Sequence, residues 1–426
     1  MTEAMESQQP VDASPGRGLN RLLASTGVSI AGQGMVLAAV PLLAARLTSD
    51  PFEVSLTVAA TYAAWLVVGL PAGALVDRWP RRTTMVISDV GRALVVGALA
   101  IAVLTGAVQL WALVACVFLL GIAGCFFDPA AQAALPLVVG RDQQRLATAN
   151  GRIWSLDLFG RSMVGPPLGA ALFALGASIP FFGNAIAFLI SAVLLVGLGR
   201  MVPPPTVAEH PPVLRSVREG LSFLARHTEL RLLTIGMAVF NFVYNVAYST
   251  LVLFARDRLH VTETGFGFLL AASAIGGLAA GYLVPKIRRQ LPARGIYGAG
   301  LLAQGCGWVL VLVSPNPWVA GLALALVGAA SMSVTVLGGT ARQRLTPDEL
   351  LGRVSATTRV AGIGVATLGA MTGGIIAGDR GLSGALIAAS ALAGLAACLM
   401  VIAGGSVVAH DFGGSRRAGT PNDRSG

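Results

Sequence analysis

The fifth apolar segment of the chain carries a row of polar and charged side chains. Asn150, Trp154, Asp157 and Arg161 are spaced four, three and four residues apart, so they share one face of a helix. At about 1.5 Å per residue, Arg161 lies roughly 18 Å inside the segment, near mid-bilayer for a membrane span. An ionised group at that depth is costly and usually binds a charged ligand or carries a proton. Asp157 and Arg161 either face a water-filled cavity or simply neutralise each other.

The seventh apolar segment offers a second polar row. Asn241, Tyr244, Asn245 and Tyr248 follow an i, i+3, i+4, i+7 pattern, so amide and phenol groups share one helical face. Gln33 occupies the matching position in the first apolar segment. Such groups can recognise a small polar ligand. The alternative is interhelical hydrogen bonding, which is worth about 0.6 kcal/mol on average.

The segments that position these rows are related by an internal repeat at an offset of 208 positions. Residues 73–82 and 281–290 both run from a glycine through a short apolar stretch to a basic cluster, and Gly165 falls on Gly373. A repeat of this length predicts a membrane protein made of two parallel halves.

Composition independently indicates a membrane protein. Apolar residues make up 55% of the chain, charged residues only 12%, and the mean hydropathy is +0.74. The uncharged runs 93–127 and 381–409 exceed the roughly 20 residues that a spanning helix needs. Period-2 alternation is absent from the sequence, so we expect an all-α membrane protein.

We predict twelve transmembrane helices in two pseudo-symmetric six-helix bundles. The predicted spans are residues 19–47, 52–77, 83–106, 109–137, 149–176, 180–200, 231–256, 263–286, 293–314, 317–343, 354–378 and 382–408. The predicted domains are a disordered cytoplasmic tail (1–18), an N-terminal six-helix bundle (19–200), a cytoplasmic linker with an amphipathic helix (201–230), a C-terminal six-helix bundle (231–408) and a second disordered cytoplasmic tail (409–426).

The basic residues predict the orientation. On this map one side of the membrane holds only Arg46, Arg256, Arg258 and Arg380, whereas the side of the termini holds most other arginines. This bias predicts cytoplasmic termini in a bacterial plasma (inner) membrane. It also explains the net charge of +10 through topology and anionic lipid, so we expect no nucleic-acid partner.

Metal and cofactor chemistry find little support in the sequence. The four cysteines lie in apolar segments without CxxC spacing, and the four histidines fall in loops or the tail. Pro285 precedes Lys286, the only lysine, which excludes a Walker A loop. We therefore expect no metal site, no cofactor and no enzymatic activity.

The loop after the second span resembles a signature of the major facilitator superfamily. Its residues are Gly73, Asp77, Arg78, Arg81 and Arg82. In that family the cluster stabilises a closed cytoplasmic face, and the resemblance implies the same gate here. Plain anchoring of the loop at the cytoplasmic face would explain the arginines but not the acid.

Three charged residues in the third and fourth spans are expected to join this gate. Asp89 and Arg92 are three residues apart, and Asp128 is expected near the inner end of the fourth span. Proton carriage is their alternative role. The second copy has Pro285 where the acid would stand, so we expect no equivalent lock in the second half.

A second resemblance covers the fourth and fifth spans. Residues 128–130, 141–150 and 165–169 look like the branch of the superfamily that contains the enterobactin exporter and macrolide efflux permeases. Gly165, Pro166 and Gly169 partly match a helix 5 motif associated with drug antiporters. Arg161 and Ala170 depart from that motif.

The resemblance implies the fold of a secondary transporter and does not imply its substrate. We predict export of small amphipathic compounds, of drug or siderophore type, by alternating access and proton antiport. We expect a monomer in the lipid bilayer with a cavity between spans 1, 4, 7 and 10. Asp157, as the deepest predicted carboxylate, is the expected proton-coupling acid. The expected cavity residues are Gln33, Trp154, Arg161, Asn241, Tyr244, Asn245 and Tyr248. A nutrient or metabolite importer and a non-transporting membrane scaffold or sensor are the alternatives.

Overall fold

The structure is a computed structural model, and it describes residues 15–76, 78–140, 142–198, 213–287 and 293–414. Within these residues, twelve helices are long and apolar enough to cross a membrane. The predicted all-α fold with twelve spans is therefore confirmed.

The described part of the protein forms two halves, and short connections join their helices. They are α1 (Pro15–Leu47), α2 (Pro51–Val76), α3 (Arg81–Leu104), α4 (Leu110–Val139), α5 (Gln143–Leu156), a π-helical segment (Asp157–Val164), α6 (Gly165–Leu175), α7 (Ile179–Val196), α8 (Val213–Arg226), α9 (Thr228–Tyr248), α10 (Leu251–Asp257), α11 (Glu263–Ile287), α12 (Ala293–Val313), α13 (Pro317–Leu345), α14 (Asp348–Arg380) and α15 (Leu382–Gly414).

The fifth span begins six residues earlier than its predicted start at 149. Asp142 Oδ1 accepts a hydrogen bond from the backbone N–H of Arg145, 2.8 Å away, and so caps α5. The polar turn that precedes the apolar residues is therefore helical. Hydropathy marks only the apolar part of such a helix, which explains the difference.

A π-helical segment interrupts the fifth span between α5 and α6. Pro166 and Pro167 follow it and lack the backbone N–H groups that would bind the carbonyls of Ser162 and Met163. The loss of these bonds favours a wider turn at this point. Segments of this kind often occur at functional sites.

The same contact between helices recurs in both halves. In the first half, a Cβ added to Gly34 on α1 would lie 2.9 Å from the Cα of Arg161. In the second half, a Cβ added to Gly369 on α14 would lie 3.0 Å from the Cα of Phe242 on α9. These residues are related by the 208-residue offset, so the repeat in sequence is a repeat in packing.

Two faces of the bundle can be defined by contacts at its ends. On the terminal face, where α1 begins, Arg21 Nη1 donates to the carbonyl of Gly197 at 2.5 Å, and Arg82 Nη2 donates to that of Val196 at 2.6 Å. On the opposite face, Arg46 at the end of α1 contacts α11. Between the halves, α2 packs on α14 and α6 packs on α11.

Helix α8 lies between the two halves of the chain and packs on the start of α14. Glu219 forms an ion pair with Arg353, and a Cβ on Gly220 would meet the backbone of Arg353. Residues 201–212 of the predicted linker lie outside the described residues, as do the tails 1–14 and 415–426.

Candidate functional site

A cavity of about 430 Å³ lies among the helices of the first half and is closed by two helices of the second half. We call it the charged cavity, because it is lined by Arg92, Asp128, Arg161 and Arg359. Its aromatic and amide lining is Gln33, Tyr62, Trp65, Asn184, Phe188 and Tyr248.

Arg161 lies in the wall of this cavity. Its Nε donates to Asp157 Oδ1 at 2.7 Å, and the two side chains are 36% and 35% exposed. Both groups lie within the π-helical segment. Asp157 and Arg161 therefore neutralise each other, and Arg161 also faces the cavity.

Asp89 and Arg92 form a buried ion pair inside the first half. Their side chains are 0% and 2% exposed, and Arg92 Nη2 donates to Asp89 Oδ1 at 2.6 Å. Ser191 on α7 donates to Asp89 Oδ2 at 2.5 Å. The Arg92 guanidinium lies over the rings of Phe127 and Phe188, at 4.2 and 4.5 Å from their centroids. This pair thus ties α3 to α4 and α7, at a depth greater than the expected position near the cytoplasmic side.

Asp128 is the carboxylate that lines the charged cavity. It stands about 16 Å from the end of α4, at 1.5 Å per residue over the remaining residues, which is deeper than predicted. Arg161, Arg92 and Arg359 line the same cavity. Asp128 therefore lies deep in a span as well as Asp157, which the sequence predicts to be the deepest carboxylate.

Arg359 is a cavity residue that the sequence analysis missed. It lies on α14 of the second half, and its guanidinium stacks over the indole of Trp65 on α2, 4.4 Å from the ring centroid. Tyr62, Trp65 and Asn184 were missed as well. Asn184 is 1% exposed, and its Oδ1 has no hydrogen-bond partner among the described residues.

The four residues of the predicted polar row on the seventh span lie in different surroundings. Tyr248 lines the charged cavity, whereas Tyr244 stacks on it at 5.2 Å between ring centroids and faces another cavity. Asn245 is 1% exposed and donates to the carbonyl of Asn241, whose own amide donates to that of Met237. The two asparagines therefore bond along their own helix in this structure.

Trp154 does not line the charged cavity. It is 69% exposed, although a 3.6-residue period puts it on the face of Arg161. The π-helical segment that begins between the two residues has more residues per turn and so rotates Arg161 off that face. The predicted contact of Trp154 with the cavity is absent from this structure for that reason.

The glycines of the helix 5 motif allow close packing of the fifth span on the first. A Cβ on Gly165 would lie 2.5 Å from the Cα of Gly34, and one on Gly169 would lie 2.6 Å from the Cα of Met35. Pro166 is the second residue of α6, which directly follows the π-helical segment. The motif thus brings α1 against the segment that carries Arg161.

The predicted gate is only partly described. Asp77 lies outside the described residues, and Gly73 lies on α2. Arg78 is exposed, Arg81 is buried at the start of α3, and Arg82 binds the end of α7.

Two contacts join the halves at the opposite face. Arg46 on α1 donates to Glu263 Oε1 on α11 through Nη2 at 2.5 Å and Nε at 3.0 Å. Arg256 on α10 donates to the carbonyl of Ala45. The Arg46 guanidinium also lies 4.3 Å from the ring centroid of Phe173. We call Arg46, Glu263, Arg256 and Ala45 the opposite-face lock.

Twelve spans in two repeated halves, with a charged cavity enclosed by both, define a membrane transporter. The chain matches the Major Facilitator Superfamily over residues 22–362, and it belongs to that family. It is thus a multi-pass membrane protein and a transporter without enzymatic activity.

Known relatives agree with this assignment. The chain is 29% identical over 357 residues to the enterobactin exporter EntS of Escherichia coli O6:K15:H31, covering 81% of this chain and 82% of the relative. A bacterial homologue of the iron transporter ferroportin, solved in an inward-facing state, superposes with a TM-score of 0.71 at 17% identity over 91% of this chain and 99% of the other. A bacterial homologue of the human lysosomal transporter Spinster also gives 0.71, at 15% identity over 91% and 96%.

Proposed function

We propose that the protein exports small amphipathic compounds, of drug or siderophore type, by alternating access and in exchange for protons. The observation that carries the proposal is the charged cavity, where arginines and a carboxylate stand beside aromatic side chains. The similarity to the enterobactin exporter supports the direction and the class of cargo. No part of this mechanism requires a cofactor.

The charged cavity can hold both parts of an amphipathic molecule. Arg359 and Arg161 supply guanidinium donors for a carboxylate or phenolate, and such charge-assisted bonds are stronger than neutral ones. Trp65 and Tyr248 offer flat apolar surfaces to rings.

In this proposal the opposite-face lock closes the outer side of the membrane. Both termini are then cytoplasmic, as the basic residues predict. The gate around Asp77, Arg78, Arg81 and Arg82 would close the cytoplasmic side in the alternate state. The protein would act as a monomer whose two six-helix bundles rock around the cavity.

Proton coupling would involve the two carboxylates around Arg161. Asp157 binds Arg161 directly, and Asp128 lines the charged cavity together with Arg161. A proton taken up by Asp157 would release Arg161 toward Asp128. Each proton would thereby change the charge that the cavity presents to its cargo.

Transport in everted vesicles tests the proposed function. Vesicles with and without the protein would be offered anionic, neutral and cationic amphipathic compounds, including enterobactin, with the interior made acidic. We expect accumulation of anionic or neutral compounds, which a protonophore abolishes. Equal uptake with and without the protein, for every compound, would contradict export, and uptake only by right-side-out vesicles would indicate an importer.

A further inference from the structure

A second cavity, of about 410 Å³, lies between the π-helical segment, α9, α11 and α13. We call it the hydroxyl-lined cavity, because hydroxyl groups supply most of its polar lining. They belong to Ser162, Tyr244, Ser273, Tyr282, Ser331 and Thr335. None of the described residues that line it carries a charge, in contrast to the charged cavity.

The two cavities share a wall. Arg161 lines the charged cavity, whereas its neighbours Leu158 and Ser162 on the same π-helical segment line the other one. On α9, Tyr248 lines the charged cavity, and Tyr244, whose ring stacks on that of Tyr248, lines the hydroxyl-lined cavity. The tenth span, α13, which was predicted to line the central cavity, contributes to the hydroxyl-lined cavity.

We propose that the hydroxyl-lined cavity is a second binding compartment, which takes uncharged ring or alkyl compounds, whereas anionic compounds occupy the charged cavity. The inference rests on the proposed function and adds to it a division of the binding site by charge.

The chemistry of the lining supports this division. An ionised group would be poorly solvated in the hydroxyl-lined cavity, because no lining group offers an opposite charge. An uncharged ring has no charge to desolvate when it enters this cavity, and the hydroxyls could bind its ether, phenol or amide substituents. Leu158, Leu278 and Met332 supply apolar contact area.

Two glycines allow each compartment to be filled separately. Gly124 lines the charged cavity, and a Cβ there meets nothing within 4 Å. Gly277 lines the hydroxyl-lined cavity, and a Cβ there makes contacts of 3.4 Å or more, which are ordinary. Leucine at either position should therefore occupy cavity space without displacing backbone. Gly378, which is exposed and also open around its Cβ, provides the control Gly378→Leu.

Two matched dyes can probe the compartments. Anilinonaphthalene sulfonate is anionic, and N-phenylnaphthylamine is the same ring system without the sulfonate. Their fluorescence would be titrated with the purified protein in nanodiscs, after subtraction of empty nanodiscs. For the neutral dye we expect Gly277→Leu to weaken binding about tenfold or more, since the ring loses its buried surface, and Gly124→Leu to leave it unchanged. For the sulfonate dye we expect the reverse.

Each variant controls for the folding of the other through the dye that it still binds. If the neutral dye binds wild-type protein and Gly277→Leu with equal affinity, the second compartment is refuted. Loss of both dyes from Gly124→Leu alone would mean a single site and would also refute it. Dye binding that divides as expected, together with no transport in vesicles, would reject the proposed export and retain the two compartments.

Discussion

The guanidinium of Arg359 on α14 lies over the indole of Trp65 on α2, with its Cζ 4.4 Å from the ring centroid. This contact joins the two halves at the wall of the charged cavity. A cation held by an aromatic face still has its N–H groups free to bind an anion. Arg359 can therefore contact an anionic cargo in the cavity while it stays in contact with Trp65 of the other half.

Arg359→Gln should lower the affinity for an anionic cargo by about ten- to a hundredfold, because a hydrogen bond to a charged group contributes about 1.5–3 kcal/mol. The affinity for a neutral cargo should change little. Equilibrium binding to purified protein provides the measurement. The control Arg380→Gln, at the other end of the same helix, should bind both normally. Equal loss for both cargoes would argue against a role in anion recognition.

Asp89→Asn should act on stability more than on cargo choice. It leaves Arg92, 2% exposed, without its carboxylate, and the single amide oxygen of asparagine cannot replace both oxygens that accept from Arg92 and Ser191. Breaking a buried pair in this way costs about 3–5 kcal/mol. We expect a clear fall in melting temperature in detergent, while the exposed control Asp379→Asn melts like the wild type. A normal melting temperature with selective loss of transport would instead support the predicted gate role.

In the Glu263→Gln variant, the opposite face of the bundle should be open in a larger fraction of molecules. The Arg46–Glu263 side chains are 46% and 30% exposed, so their pair contributes only about 0.2–1 kcal/mol, or up to about a fivefold change in population. Maleimide labelling of Ala255→Cys, which is 1% exposed beside the lock, would report the opening. The exchange of both charges, Arg46→Glu with Glu263→Arg, should restore slow labelling. Unchanged labelling in Glu263→Gln would argue against the lock.

Asp157→Asn should abolish uphill transport driven by a pH gradient and spare exchange of bound cargo, since binding and rocking need not involve the proton. Asp128→Asn should lower both activities, because Asp128 also lines the cavity. Uphill transport and exchange would be measured in the same proteoliposomes. Concentrative transport by Asp157→Asn would place the coupling acid elsewhere or show that protons do not drive the protein.

The twelve spans could be predicted because hydropathy and the repeat act over long stretches of chain. Arg161 could be predicted as well, since a charge within an apolar segment is conspicuous. Arg359 could not, because it stands five residues inside the predicted span 354–378 and resembles one more basic residue near a membrane surface. Its neighbour Trp65 belongs to the other half, and no local pattern connects the two.

The position of Trp154 shows a different limit of sequence reasoning. A helical period of 3.6 residues assumes an unbroken α-helix, and the π-helical segment changes the phase after Leu156. The following Pro166 and Pro167 were a visible signal for such an irregularity. Helix α4 also ends two residues later than the predicted span 109–137, at Val139, which adds to the depth of Asp128.

Transport by Gly124→Leu tests the central claim, that cargo crosses the membrane through the charged cavity. A Cβ at Gly124 meets nothing within 4 Å, so we expect the leucine side chain to fill cavity space without displacing backbone. Everted vesicles would be assayed for uptake of a labelled cargo under an imposed pH gradient, at matched protein abundance. We predict that Gly124→Leu abolishes uptake and that Gly378→Leu transports like the wild type. Uptake by Gly124→Leu at the wild-type rate would contradict this account.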